Sequence, residues 1–175
     1  MSCLANSDPY IRRLATTIAR AVRQVWPADK ALGFRLNGTD WIEGGIVIDE
    51  TVAVARTLKD LGVDYISVSS GGNTHAQKLP PMVPGYQVSL AERVRKDAQI
   101  TTLAAGLIVT PGQAEHIVAS GQADFTGIGR AVLDDPRWGL HAQHALDGKA
   151  DYPRSHWRAG PGIWPGFPLA HPQSS

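Results

Sequence analysis

Between Pro9 and Val25 the apolar residues Ile11, Leu14, Ile18, Val22 and Val25 recur at spacings of three and four. Arg12, Arg13, Arg20, Arg23 and Gln24 fall largely between them, which is the rhythm of an amphipathic helix. Asp8 and Pro9 supply a cap and a first helical residue, and Pro27 closes the segment. After it the pattern changes. Four short, mostly apolar runs at 31–36, 64–69, 100–105 and 124–129 read as strands. Their near-continuous apolar character suits strands covered on both faces, and hence a parallel sheet.

Helices are predicted between and after these runs. Residues 49–61 form one that stops at Gly62. Ser89-Leu90-Ala91-Glu92 fits a capping box that opens a second. Thr110-Pro111-Gly112-Gln113 opens a third, which stops at Gly121, and Asp135-Pro136 opens a last one running to about residue 146. Strand then helix, repeated, is the βαβ signature with its right-handed parallel crossovers. Either an open doubly wound sheet or part of a (β/α)8 barrel satisfies it. No Gly-x-Gly-x-x-Gly turn follows the first strand, which weakens the dinucleotide-binding open sheet. A complete barrel takes about 250 residues, and this chain has 175. Four units therefore amount to half a barrel, over 1–150. Residues 151–175, rich in proline, glycine, tryptophan and histidine, read as an extended arm anchored by Trp157 and Trp164.

Composition narrows the classes. Hydrophobic residues make up 43% of the chain and charged ones 19%, enough for a core. Net charge is +1, so no electrostatic footprint for nucleic acid or an anionic membrane is expected. The single cysteine, Cys3, excludes an internal disulfide and a cysteine zinc site. No apolar run approaches the roughly 18–20 residues of a membrane span, and Met1–Asp8 has no signal-peptide pattern. A cytoplasmic location is expected.

Strand ends are where α/β barrels keep their chemistry. Arg35 interrupts the first apolar strand; it is either a structural ion-pair partner or a fixed cation for a heterocyclic carbonyl or carboxylate. Val68-Ser69-Ser70-Gly71-Gly72 is a small polar strand end, either a plain loop or part of a site, and the stiff Pro80–Tyr86 stretch after it is suited to covering a ligand. Ala104-Ala105-Gly106 and Gly127-Ile128-Gly129-Arg130 share a phosphate-binding logic: glycine admits close backbone approach and Arg130 brings a bidentate charge. Other candidates are weaker. His141 and His144 lie three apart with no third ligand beside them, so no metal is expected. Asp134-Asp135 reads as a helix cap. No Gly-x-Ser-x-Gly elbow and no His-Glu-x-x-His occur.

Taken in order, several blocks resemble the old yellow enzyme family of FMN-dependent ene-reductases. They are Ala21-Val22-Arg23-Gln24-Val25-Trp26-Pro27, Gly33-Phe34-Arg35-Leu36, Asp40-Trp41, Ile66-Ser67-Val68-Ser69-Ser70-Gly71, Pro84-Gly85-Tyr86-Gln87-Val88, Ala105-Gly106-Leu107-Ile108 and Gly127–Pro136. The likeness is to the bacterial, thermophilic-type branch of NADH:flavin oxidoreductases/NADH oxidases and covers roughly Ile11 to Arg158. It implies the C-terminal half of a (β/α)8 barrel, FMN as cofactor, NADH or NADPH as electron donor and an activated alkene as substrate. By the same resemblance, Arg35 contacts the pyrimidine edge of the flavin, and Gly106, Gly129 and Arg130 hold its phosphate. Ala105 lies beside the ring or ribityl chain. Arg158, in Ser155-His156-Trp157-Arg158, resembles an arginine that reaches a neighbouring subunit's active site.

The family's first four units carry a tyrosine proton donor, a glutamine on the pyrimidine and a His/His or His/Asn substrate pair, and none has a counterpart here. No residue of this chain is therefore assigned a catalytic role. The leading reading is the flavin-phosphate half of an FMN oxidoreductase, inactive alone. A second is a non-catalytic half-barrel module whose raw edges pair with another copy, giving a homo-oligomer, or with a complementary N-terminal half. A third is a phosphate-binding half serving other nucleotide or sugar-phosphate chemistry.

Overall fold

The computed structural model describes residues 9–170; Cys3, the cap Asp8 and His171 lie outside them. The chain divides into two compact units, one of residues up to 108 together with 114–127, the other of residues 109–113 and those from 128 onward.

The first unit holds the sheet. Strands β1 (Gly33–Asn37), β2 (Tyr65–Ser69), β3 (Thr101–Ala104) and β4 (Phe125–Thr126) are parallel and lie in the order β1-β2-β3-β4. A doubly wound sheet reverses its order at a switch point, whereas barrel strands follow one another in chain order. The unbroken order decides for barrel units over the open sheet. The strands are shorter than the apolar runs predict, β4 most of all.

Sheet burial is one-sided. Ile66 and Val68 of β2 and Thr102 and Ala104 of β3 are fully buried, on the side packed by helix α3 (Val88–Ala98), which lies against α2 (Ile48–Asp60). Ala55, Leu58, Ala91 and Val94 complete this core with no exposed surface. The residues between them point the other way, and there Arg35, Thr101 and Phe125 are exposed, Tyr65, Ser67 and Leu103 are half-buried and Ser69 is buried. Strands covered on both faces are thus not what this chain forms. Gly-Phe-Arg-Leu-Asn and Tyr-Ile-Ser-Val-Ser alternate with the period of two that a one-sided strand requires.

Helix α1 (Pro9–Val25) has the predicted bounds but not the predicted contact face. Ala19 is fully buried, whereas Leu14, Ile18 and Val25 are exposed. α1 packs against α2, and the small Ala19 rather than the larger stripe is what it buries. Ser89 is not a cap either: it lies inside α3, because Val88 N–H already donates to Gly85 O at 2.8 Å and starts the helix earlier. Glu92 instead pairs with Lys96 at 2.6 Å. Helix α4 (Pro111–Ala119) is capped as expected, with Thr110 Oγ1 accepting from Gln113 N–H at 3.2 Å.

The starts of the strands carry the same brace twice. Asp64 exchanges two bonds with Leu32, its N–H donating to Leu32 O at 2.8 Å and its Oδ2 accepting from Leu32 N–H at 2.7 Å. Asp124 does the same with Thr102, at 3.1 and 2.9 Å. An arginine from an earlier helix locks each: Arg23 donates to Gly62 O at 3.1 Å and lies 3.6 Å from Asp64. Arg95 donates to Gly121 O and to Asp124, both at 3.0 Å. Gly62 and Gly121 sit at φ +86° and +73°, where a side chain would be strained.

The second unit contains α5 (Arg130–Asp134), which the sequence reading did not anticipate, and α6 (Trp138–Asp147). The arm carries a single 3-10 turn at Trp157–Ala159 and a short α7 (Phe167–Ala170). Phe167 anchors it rather than the tryptophans: it is buried, edge-on to His144 at 4.9 Å and to Trp164 at 6.4 Å. Trp157 and Trp164 stay exposed. Among the described residues no helix is long and apolar enough to cross a membrane.

The two braces differ in burial, which gives a test. Asp124→Ala leaves the N–H of fully buried Thr102 without its acceptor and is expected to cost about 1–3 kcal/mol. Asp64→Ala, at a carboxylate that is 54% exposed, is expected to cost less. Chemical denaturation of both variants measures the order; a larger loss in Asp64→Ala would contradict it.

Candidate functional site

The C-terminal end of the sheet in the first unit gathers a line of polar side chains. Parallel pairing sets Arg35 opposite Ser67 and Asn37 opposite Ser69, so all four share the open face. Arg35 Nε–H donates to Ser69 Oγ at 3.2 Å, and the Ser69 hydroxyl donates to Asn37 Oδ1 at 3.2 Å. Asn37 Nδ2 donates to Asp40 Oδ1 at 2.9 Å and to Gly71 O at 3.3 Å. Arg35 is not a structural ion-pair partner: its terminal nitrogens make no hydrogen bond or ion pair among the described residues. A charged, planar donor fixed at one nitrogen and open at two suits a ligand edge carrying paired acceptors.

At the end of β3, Ala105 is half-buried and Gly106 turns the chain at φ +107°. A side chain at Gly106 would begin 3.0 Å from Gln87 Oε1 and 3.1 Å from Tyr86 Cε1, so the backbone there is necessarily bare. Gly85 N–H donates to Gly106 O at 3.0 Å and holds the turn. Gln87 is buried beneath it, donating to Ser70 Oγ at 2.8 Å and Tyr86 Oη at 3.0 Å. Leu107 follows at φ +52°, an uncommon conformation for a leucine.

The second unit carries the remaining candidates. Gly129 has open space where a side chain would stand, and Arg130 is exposed with no hydrogen bond or ion pair among the described residues. Arg158 is exposed too, its guanidinium 5.6 Å from the Trp157 ring centre. A cleft of about 650 Å³ in this unit is lined by His144, Tyr152, Trp157 and Ile163, but by neither arginine. His141 is engaged with Asp135, its Nδ1 2.6 Å from Oδ2. No cluster of three metal-ligating side chains occurs among the described residues.

The sequence profile of the NADH:flavin oxidoreductase / NADH oxidase family matches residues 12–149. The chain belongs to this old yellow enzyme family. An NADPH dehydrogenase of Listeria innocua is 35% identical over 147 residues, which is 84% of this chain and 42% of the relative. NADPH dehydrogenases of Clostridium acetobutylicum and Geobacillus thermodenitrificans are 34% and 37% identical, over 84% and 79% of this chain and 43% and 39% of theirs. The chain thus spans about two fifths of the length of these curated relatives. A solved structure of 2-naphthoyl-CoA reductase with 2-naphthoyl-CoA superposes with a TM-score of 0.70 at 25% identity, over 85% of this chain and 23% of that one. The fold is accordingly α/β, the C-terminal half of a (β/α)8 barrel.

Among the strand-end residues, Asn37, Asp40 and Gln87 are not singled out by the sequence as site candidates, and Ser69 belongs to a strand end that the sequence leaves open between a plain loop and a site. All lie within quoted blocks or directly after one. The available signal was the clustering of short polar side chains after each strand, which is otherwise indistinguishable from turn chemistry.

Asp135 generates a pH prediction. Burial alone would raise its pKa, but the hydrogen bond from His141, the Arg137 backbone N–H and the charges of both hold it below the ordinary carboxylate value. A depressed pKa contributes stability that is present above the unfolded value, about 3.9, and is lost as pH falls through the folded value. The stability gap between the natural chain and Asp135→Asn is therefore expected to be widest near neutral pH and to close below about pH 4. Thermal melts across pH 2.5–7 measure it; an equal gap throughout would contradict the assignment.

Proposed function

We propose that this chain is the flavin-phosphate half of an FMN-dependent oxidoreductase of the ene-reductase type. The observation that carries the reading is Arg35, a permanent cation at the strand ends with both terminal nitrogens available. Each of the other roles rests on the family motif that carries its residue. Arg35 donates to the pyrimidine edge of FMN, Ala105 lies against the ring or ribityl chain, and Gly106, Gly129 and Arg130 hold the phosphate. Gly106 fits such a group, since its backbone is bare where a side chain would press on Gln87 and Tyr86. Bound FMN supplies hydride transfer from NADH or NADPH to an activated alkene. The chain's residues orient the flavin, and proton donation to the substrate comes from residues outside this chain. Arg158 serves a substrate site in a neighbouring subunit.

The test is a titration of FMN, followed by quenching of flavin fluorescence, into the natural chain and Arg130→Ala. Loss of charge-assisted bonds to a phosphate is expected to weaken binding about tenfold to a hundredfold. Equal dissociation constants would remove Arg130 from the site.

A second reading, an assembly module, is favoured by a specific observation. β1 and β4 are the two edges of the sheet, the face carrying Arg35, Leu103 and Phe125 is open, and Leu14, Ile18 and Val25 of α1 are exposed. Unpaired parallel edges beside apolar surface demand a partner. The partner is a second copy or a complementary half-barrel, and the two readings are compatible. Light scattering on the purified chain is expected to show self-association that rises with concentration; a well-folded, concentration-independent monomer would exclude it.

A further inference from the structure

Donor and acceptor counting gives the polar line at the strand ends a direction. The Asn37 amide nitrogen has two protons, and Asp40 Oδ1 at 2.9 Å and Gly71 O at 3.3 Å accept them. Its oxygen must therefore face Ser69, whose single hydroxyl proton goes to it at 3.2 Å. With that proton committed, Ser69 Oγ is left as an acceptor, and Arg35 Nε–H donates to it at 3.2 Å. Reversing the amide would set its oxygen against the Asp40 carboxylate and the Gly71 carbonyl, neither of which has a proton to give.

The Asp40 carboxylate is the nearer and the charged one of the two acceptors that oppose that reversal. As an acceptor-only group it takes Asn37 Nδ2, Asn73 Nδ2 at 2.8 Å and the Ile46 N–H at 3.1 Å. Asp40 N–H also donates to Ile46 O at 2.9 Å, which closes the loop after β1 around it. Asn73 and Gly71 belong to the loop after β2. That loop and the direction of Arg35 thus depend on the same side chain.

We propose that Asp40 is a positioning residue for Arg35, acting through Asn37 and Ser69. It sets the order of donation so that the guanidinium is held at Nε and presents its two terminal nitrogens together to a planar acceptor edge. The role of that edge rests on the flavin reading above. The relay itself does not, because every member of it belongs to this chain.

Proton exchange at Arg35 Nε–H, followed by nitrogen-15 NMR on the chain without FMN, reads the relay directly. The resonance is assigned by its disappearance in Arg35→Lys. Asp40→Asn keeps the shape of the side chain but places a donor against donors, and is expected to speed exchange about tenfold, the equivalent of one lost hydrogen bond. Unchanged exchange overturns the proposal. Should Asp40→Asn not fold, Ser69→Ala removes only the middle hydroxyl, with the same expectation and the same overturning result. FMN titration of Asp40→Asn, Arg35→Ala and the double variant then separates the two ideas. Weaker binding in Asp40→Asn that vanishes in the Arg35→Ala background supports positioning, while an equal loss in both backgrounds overturns it. Faster exchange with FMN binding unaltered in both single variants leaves the relay standing and removes Arg35 from the flavin site.

Discussion

Burial of one row of strand side chains governs the geometry of everything at the strand ends. Ile66, Val68, Thr102 and Ala104 are fully enclosed on the helix side of the sheet, against a helical layer that itself exposes nothing at Ala55, Leu58, Ala91 or Val94. Side chains alternate along a strand, so a one-residue slip would send this row to the open face and bring Ser67 and Ser69 into the core. Core burial therefore fixes the register, and the register sets Arg35, Asn37, Ser67 and Ser69 in line on the other side. Polar geometry at the site follows from apolar packing one residue away.

The two ends of the sheet do different work with similar chemistry. At the strand starts, Asp64 and Asp124 spend their carboxylates on backbone N–H groups, and Arg23 and Arg95 are engaged by carbonyls and by those same carboxylates. Those charges are fully committed to the chain itself. At the strand ends, Asp40 is likewise committed, but the arginine at the far end of its relay is not. Barrels keep stability at one end and chemistry at the other. Here that division shows as the presence or absence of spare donors on an arginine.

Much of this was legible from residue order. The strand–helix alternation, the bounds of α1, the cap at Thr110 and the family blocks were all visible, because each is a local signal a few residues long. Two misreadings share one cause. Short apolar runs look continuous although Tyr-Ile-Ser-Val-Ser alternates, and the amphipathic rhythm of α1 points to its widest apolar stripe although much of that stripe is exposed. In both, hydrophobicity was weighed above size and period. Ala19 is small and buried, and Ser67 and Ser69 lie on the face opposite the helices because they alternate with Ile66 and Val68, Ser67 half-buried there and Ser69 buried. The relay from Asp40 to Arg35 was not legible, since Ser69 lies 34 residues from Arg35 and only the register brings them together.

Backbone strain marks the same end of the sheet independently of side-chain chemistry. Among the described residues, three that are not glycine have positive φ: Trp41 at 56°, Gln99 at 51° and Leu107 at 52°. Gln99 is an ordinary left-handed cap on α3, its N–H donating to Arg95 O. Trp41 and Leu107 lie in the loops after β1 and β3, and such conformations cost roughly 1–3 kcal/mol each unless the surroundings over-determine them. Trp41 directly follows Asp40, and its carbonyl accepts from Lys78 N–H at 2.9 Å, so the strained turn is tied at both ends to the loops that frame Arg35. Leu107 directly follows Gly106, whose carbonyl holds Gly85. At the strand starts the same positive φ is taken by Gly62 and Gly121, where it is nearly free of steric penalty. Glycine takes positive φ at the strand ends as well, at Gly71, Gly72, Gly85 and Gly106, so Trp41 and Leu107 carry a side chain in a conformation that their neighbouring turns leave to glycine.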